Sequence, residues 1–221
     1  MRAGVLLGVG FLLGMRHATD ADHLVALSTL AGRVRNLRGA LRLGTTWGLG
    51  HTAAILLAGG AIVLFDLTIP PHLGLGLEMV VAAMLILLGL LNLARRPHPA
   101  GGVDPGPARV PNAGWRPLAI GVVHGLAGSG ALALLVLATL PSPLWAVIYL
   151  AVFCAGTILG MTVLTAVMAV PLAAVARRSD RVQRLTARLS GGLSLGLGLV
   201  LAYRLGVVDG LFSGAPHWAP R

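Results

Sequence analysis

Arg16-His17-Ala18-Thr19-Asp20-Ala21-Asp22-His23 separates two apolar runs, Ala3–Gly14 and Leu24–Ala31. Two imidazoles, two carboxylates and a guanidinium therefore fall inside what otherwise reads as a membrane-spanning segment. At the centre of a span an Asp or Arg costs about 2.5–3.5 kcal/mol, against about −0.3 to −0.6 for each Leu, Ile, Phe or Val. Three such charges sum to about 8–10 kcal/mol, which the surrounding Leu, Val and Phe offset only in part. The group must face other helices, water or a bound ion, so it reads as a functional site.

Composition agrees with a membrane protein. The chain has 221 residues, 56% hydrophobic and only 11% charged, with a mean hydropathy of +0.86. Several long apolar runs predict an all-α, polytopic membrane protein with about six transmembrane helices. The net charge of +10 could signal nucleic acid, but the basic residues are all Arg and cluster in short stretches between apolar runs. That is the positive-inside pattern, and nucleic acid is excluded as a partner. The lone Cys154 excludes an intramolecular disulfide and any multi-thiolate site within one chain. The first apolar run lacks a small-residue cleavage site and continues into the polar motif, so it reads as a span and not as a signal peptide.

Spans are expected at about 3–31, 43–65, 73–94, 117–140, 144–176 and 189–212. The polar motif lies mid-way in the first. Residues 95–116 are rich in Pro, Gly and Arg and read as a flexible cytoplasmic loop. They divide the chain into a first three-helix half, 1–94, and a second, 117–221. Pro171 is expected to kink the long fifth span. The three inner loops hold 13 of the 17 basic residues, which places both termini outside the cytoplasmic membrane. An odd number of helices per half inverts the second half. His17 and His124 each lie in the first helix of their half, a faint 3+3 inverted repeat of the transporter kind.

Imidazole together with carboxylate suits divalent transition metals. On a straight helix His17, Asp20 and His23 share an arc of about 120°, but the outer pair is separated by about 9 Å of rise. One ion then reaches both only if the helix unwinds between Thr19 and Asp22. Otherwise a neighbouring pair binds and other helices complete the shell. His51 and His124 are the candidates, each beside Gly residues that permit close helix approach. Asp20 or Asp22 would orient an imidazole, and Arg16 would balance a carboxylate. Among the remaining polar residues, Glu78 reads first as interfacial, then as a ligand or proton carrier. Cys154 reads as a small core residue, and His72, His98 and His217 as solvent-facing.

At these residues the chain resembles the nickel/cobalt transporter family. That family's His-x4-Asp-His signature matches His17, Asp22 and His23, within the longer pattern Arg16-His17-Ala18 and Asp20-Ala21-Asp22-His23-Leu24. A second motif matches Leu49-Gly50-His51-Thr52. The stretch His124-Gly125-Leu126-Ala127-Gly128-Ser129 is similar to the short, six-helix, urease-accessory-type nickel permeases. The longer, eight-helix members carry further acidic motifs that this chain lacks; Gly160-Met161 matches one of them without its Asp. The resemblance implies movement of Ni2+ or Co2+ across the cytoplasmic membrane, with import favoured over export. Taken with the reading of the residues, the candidate metal set is His17, Asp20, Asp22, His23, His51 and His124, with Arg16, Thr52, Ser129 and Glu78 as candidate supports. The ion is then a substrate, no resident cofactor is expected, and a homo-oligomer is compatible with the reading.

Other functions make distinct demands. An intramembrane metalloenzyme would use the same ligand types, but no His-Glu-x-x-His or equivalent base is present, so the chain reads as a non-enzyme. A haem carrier using His51 and His124 leaves Asp20 and Asp22 without a role. An anion transporter would use Arg16 but conflicts with the acidic pair. A purely structural polar network would place costly charges where apolar packing suffices.

Overall fold

A computed structural model of the chain describes residues 3–31, 34, 36–65, 67, 69–94, 115–127, 142–176, 180–213 and 216–218. Every regular element among the described residues is helical: α1 (Ala3–His17), α2 (Ala21–Ala31), α3 (Leu37–Phe65), α4 (Pro71–Leu93), α5 (Trp115–Leu126), α6 (Pro143–Ala176) and α7 (Asp180–Tyr203), which ends in a π turn at Arg204–Val208.

The expected first span is two helices. Thr19 turns both its backbone N–H and its hydroxyl onto the Arg16 carbonyl, at 2.8 and 2.6 Å, and Asp20 N–H donates to the His17 carbonyl at 3.1 Å. These short-range bonds compete with the helical ladder, as Thr and Asp commonly do. Asp20 then offers its carbonyl to Leu24 N–H at 3.0 Å as the chain re-enters a helix. Asp22, in the first turn of α2, carries its charge at the end where the helix dipole favours an anion.

Other boundaries also shift. Asn36 accepts a 2.7 Å hydrogen bond from Gly39 N–H and caps α3. The helix therefore starts before the expected span, and Arg38 and Arg42 lie on its exposed first turns. Likewise α7 begins at Asp180, so Arg181, Arg184 and Arg188 are helical and not part of a loop. Pro71 opens α4 at a position where its missing N–H costs nothing. Pro171 lies within α6, whose 34 residues run for about 51 Å. The segments 95–114 and 128–141, and with them Ser129 and the expected second part of the fourth span, lie outside the described residues.

Among the described residues, three stretches are long and apolar enough to cross a membrane: Pro71–Leu93, Pro143–Leu172 and Arg184–Val208. The chain is a membrane protein by this measure, and its outward faces are correspondingly apolar, with Leu57, Leu64, Leu144 and Val167 all largely exposed. Inside a bilayer apolar burial does not drive helices together, so close packing must. Helix α1 packs on α6, α3 on both α5 and α6, and α4 on α7. Helices on either side of the 95–116 segment thus interleave. Backbone contact at glycine sets the spacing. A Cβ at Gly14 or Gly156 would collide with the Phe153 or Phe11 carbonyl across α1 and α6, and one at Gly125 with the His51 carbonyl across α3 and α5.

Two outcomes follow from this packing. Gly125→Val forces α5 away from α3, an overpacking that costs about 1–3 kcal/mol; thermal unfolding of the purified protein in detergent is expected several degrees lower. Cys154 is buried, at 3% exposure. A hydrophilic thiol reagent is expected to leave it unmodified in the folded protein and to label it fully after denaturation, as read by mass spectrometry.

Candidate metal centre

The α1–α2 break brings together what a straight helix separates. His17 is the last residue of α1 and His23 the third of α2, yet their ring centroids lie 4.8 Å apart. His51, at the midpoint of α3, approaches both, at 5.1 Å from His17 and 5.0 Å from His23. One ring nitrogen from each of these three residues lies within 4.8 Å of the others. His23 and His51 are fully buried and His17 nearly so.

Carboxylates fix how two of the rings present themselves. Asp20 Oδ2 stands 2.7 Å from His17 Nδ1, and Asp22 Oδ1 stands 3.0 Å from His23 Nδ1. An ionised carboxylate only accepts, so each Nδ1 carries the proton and each Nε2 presents its lone pair. His17 Nε2 lies 3.0 Å from His51 Nε2, and His23 Nε2 is buried without a hydrogen-bond partner among the described residues. Asp22 also holds its own place by accepting from His23 N–H at 2.9 Å.

Metal–imidazole bonds of about 2.0–2.1 Å set neighbouring ligand nitrogens about 3–3.4 Å apart. The 3.0 Å between His17 and His51 meets that spacing. The remaining separations in the trio are within 4.8 Å. Three buried imidazoles, two of them oriented by carboxylates, can therefore hold a divalent transition ion.

His124, near the end of α5, adjoins this trio without joining it. Its ring centroid is 4.9 Å from that of His23. Its Nε2 lies 3.4 Å from Asp22 Oδ2, and its Nδ1 is a buried atom without a hydrogen bond among the described residues. Asp22 thus spans two imidazoles, one through each oxygen. Aromatic walls close the centre: Trp47 stacks on His23 at 5.7 Å and meets His124 edge-on at 5.7 Å, and Phe153 lies 5.7 Å from His17. Neither wall was singled out from the sequence. Trp47 was legible as the residue four before His51, on one helical face; Phe153, on α6, carries no comparable signal.

The supporting residues fall elsewhere. Arg16 is exposed and forms no salt bridge among the described residues. Thr52 is buried and donates to the Gly48 carbonyl at 2.8 Å, within its own helix. Glu78 accepts a 2.8 Å hydrogen bond from the Trp218 indole, whose ring covers Gly74 on α4. This contact joins α4 to the C-terminal segment. His72 and His217 are exposed, as expected.

No family model and no solved structure matches the chain. Among curated proteins it is 36% identical over 73 residues to the high-affinity nickel transport protein of Cupriavidus necator, a stretch covering 31% of this chain and 21% of that one. It is 30% identical over 207 residues to the Arabidopsis thaliana chloroplast protein FOR GROWTH AND FERTILITY 2, covering 87% of this chain and 54% of that protein. It therefore spans about half of that plant relative. With the urease accessory protein UreH of a Bacillus species it shares 32% identity over 222 residues, 94% of either chain. None of these relatives is named as an enzyme, in line with the non-enzymatic reading. By this last similarity the chain belongs to the family of the urease accessory protein UreH, the urease-accessory-type branch of the nickel/cobalt transporters that its histidine motifs resemble.

Proposed function

We propose that the chain carries a divalent transition-metal ion, Ni2+ or Co2+, across the cytoplasmic membrane, with import as the direction. The observation that carries this reading is the meeting of His17, His23 and His51 within 4.8 Å. Membership of the UreH family and the similarity to a nickel transport protein support it. In this reading the three imidazoles bind the ion. Asp20 and Asp22 keep their lone pairs directed at it, and His124, tied to Asp22, completes or relays the set. Imidazole and carboxylate ligands release an ion more readily than a closed thiolate site, as a carrier requires.

The topology proposed with this function is six spans with both termini outside and two inverted halves. The α1–α2 pair forms the first span, broken at its centre. Discontinuous helices of that kind build midplane sites in transporters. The Arg residues at the starts of α3 and α7 support the orientation. A haem between His51 and His124 is disfavoured, because the His23 ring lies within 5.0 Å of the one and 4.9 Å of the other, in the space a porphyrin would need.

Cells expressing the chain are expected to accumulate more Ni2+ or Co2+ than cells without it. The His17→Ala, His23→Ala double variant, at matched membrane abundance, is expected to return accumulation to the control level. Accumulation below that of control cells, restored by the variant, would instead identify an exporter. Asp22→Asn leaves the shape and removes the charge that orients His23. Isothermal titration of purified protein is expected to show metal affinity lowered about 10–100-fold, the usual effect of losing a carboxylate that positions a ligand imidazole.

A further inference from the structure

The outward stripe of α1 changes character at the metal centre. Val5, Val9 and Leu12 are 55%, 41% and 65% exposed, and the same stripe continues at Arg16. Beyond it Thr19, Asp20 and Ala21 are exposed as well. Asp20 is 47% exposed, while the His17 it holds at 2.7 Å is 6% exposed. One carboxylate therefore reaches from the protein surface to a buried imidazole.

Depth makes this patch unusual. The 15 residues of α1 and the 11 of α2 give rises of about 22 and 16 Å on either side of the break. If these helices form one span, the patch lies near the middle of the bilayer. A guanidinium and a carboxylate at that depth do not face lipid; they face protein or a water-filled cavity. The break itself points the same way, since irregular backbone at membrane depth is found where it is buried in protein or lines such a cavity. Leu12, one turn earlier, meets lipid without penalty.

We propose that Arg16, Thr19, Asp20 and Ala21 line the water-filled mouth through which the cation reaches the three imidazoles, with Asp20 as the group it meets first. This rests on the transport reading and adds its access route. A hydrated divalent cation is attracted by the Asp20 carboxylate, which accepts from His17 on its other side. Exchanging water for His17, His23 and His51 then carries the ion from the exposed patch to the buried trio.

The experiment uses Ala21→Cys in the full chain, because Ala21 is exposed and its side chain makes no hydrogen bond. The buried native Cys154 serves as the internal control. A charged, membrane-impermeant thiol reagent is applied to intact cells and to inverted membrane vesicles. Labelling of the introduced cysteine from either face is expected. With Ni2+ or Co2+ at ten times the dissociation constant, the labelling rate is expected to fall about tenfold, following site occupancy. In the His17→Ala, His23→Ala background that protection is expected to vanish.

A cysteine that is silent from both faces overturns the proposal, and so does labelling that metal leaves unchanged. Protection that persists without His17 and His23 overturns it too, since the ion would then bind at the patch alone. Each is distinct from failure of the transport reading, which appears as unchanged metal accumulation by the wild-type chain.

Discussion

Burying an imidazole in a bilayer is tolerable only if its polar atoms are matched, and the organisation of this protein follows from that constraint. Two carboxylates accept hydrogen bonds from the Nδ1–H groups of His17 and His23. Their free lone pairs then have only each other, His51 and any bound cation to face. A cluster of this kind is costly as a packing device. It becomes favourable when a divalent ion replaces the unmatched lone pairs with coordinate bonds. In the proposed function this is where the ion sits, with the rings of Trp47 and Phe153 packed beside His23 and His17.

The backbone supports the same end. Thr19 and Asp20 divert their hydrogen bonds into a local turn, and α1 stops where a regular helix would have set His23 about 9 Å along its axis from His17. Glycines then allow α3, α5 and α6 to approach at backbone distance. Gly14 lets α1 lie against α6 near Phe153, and Gly125 lets α5 lie against α3 at His51. With no hydrophobic effect between helices in lipid, these close contacts hold the imidazoles in register. The histidine cluster and the helix packing are therefore linked: a Cβ at Gly125 would meet the His51 carbonyl.

Much of this was legible beforehand. Composition and apolar run length sufficed for an all-helical membrane protein, and the type and spacing of residues 16–23 pointed to a transition-metal site. The helix starts were less legible, because the Asn36 cap draws polar, Arg-bearing residues into α3 and α7 also begins among Arg residues that hydropathy assigns to loops. Arg16 was named as a support for its charge, and Thr52 as part of the Leu49-Gly50-His51-Thr52 motif. One side chain instead faces outward, and the other is consumed within its own helix.

What the sequence determined by itself was the chemistry: His and Asp ligand types, their concentration in one interrupted span, and a second His motif on the next helix. Local chemistry is written residue by residue, and charge inside an apolar run has few explanations. What only the tertiary structure decided was which of them meet. Periodicity left open whether His17 and His23 could serve one ion. The turn at residues 18–20, formed by bonds between specific side chains and carbonyls, placed their rings 4.8 Å apart. It also set His124 beside Asp22 and outside the trio. The places of His51 and His124 depend instead on helix crossings between segments far apart in the chain, and no spacing along one helix encodes them.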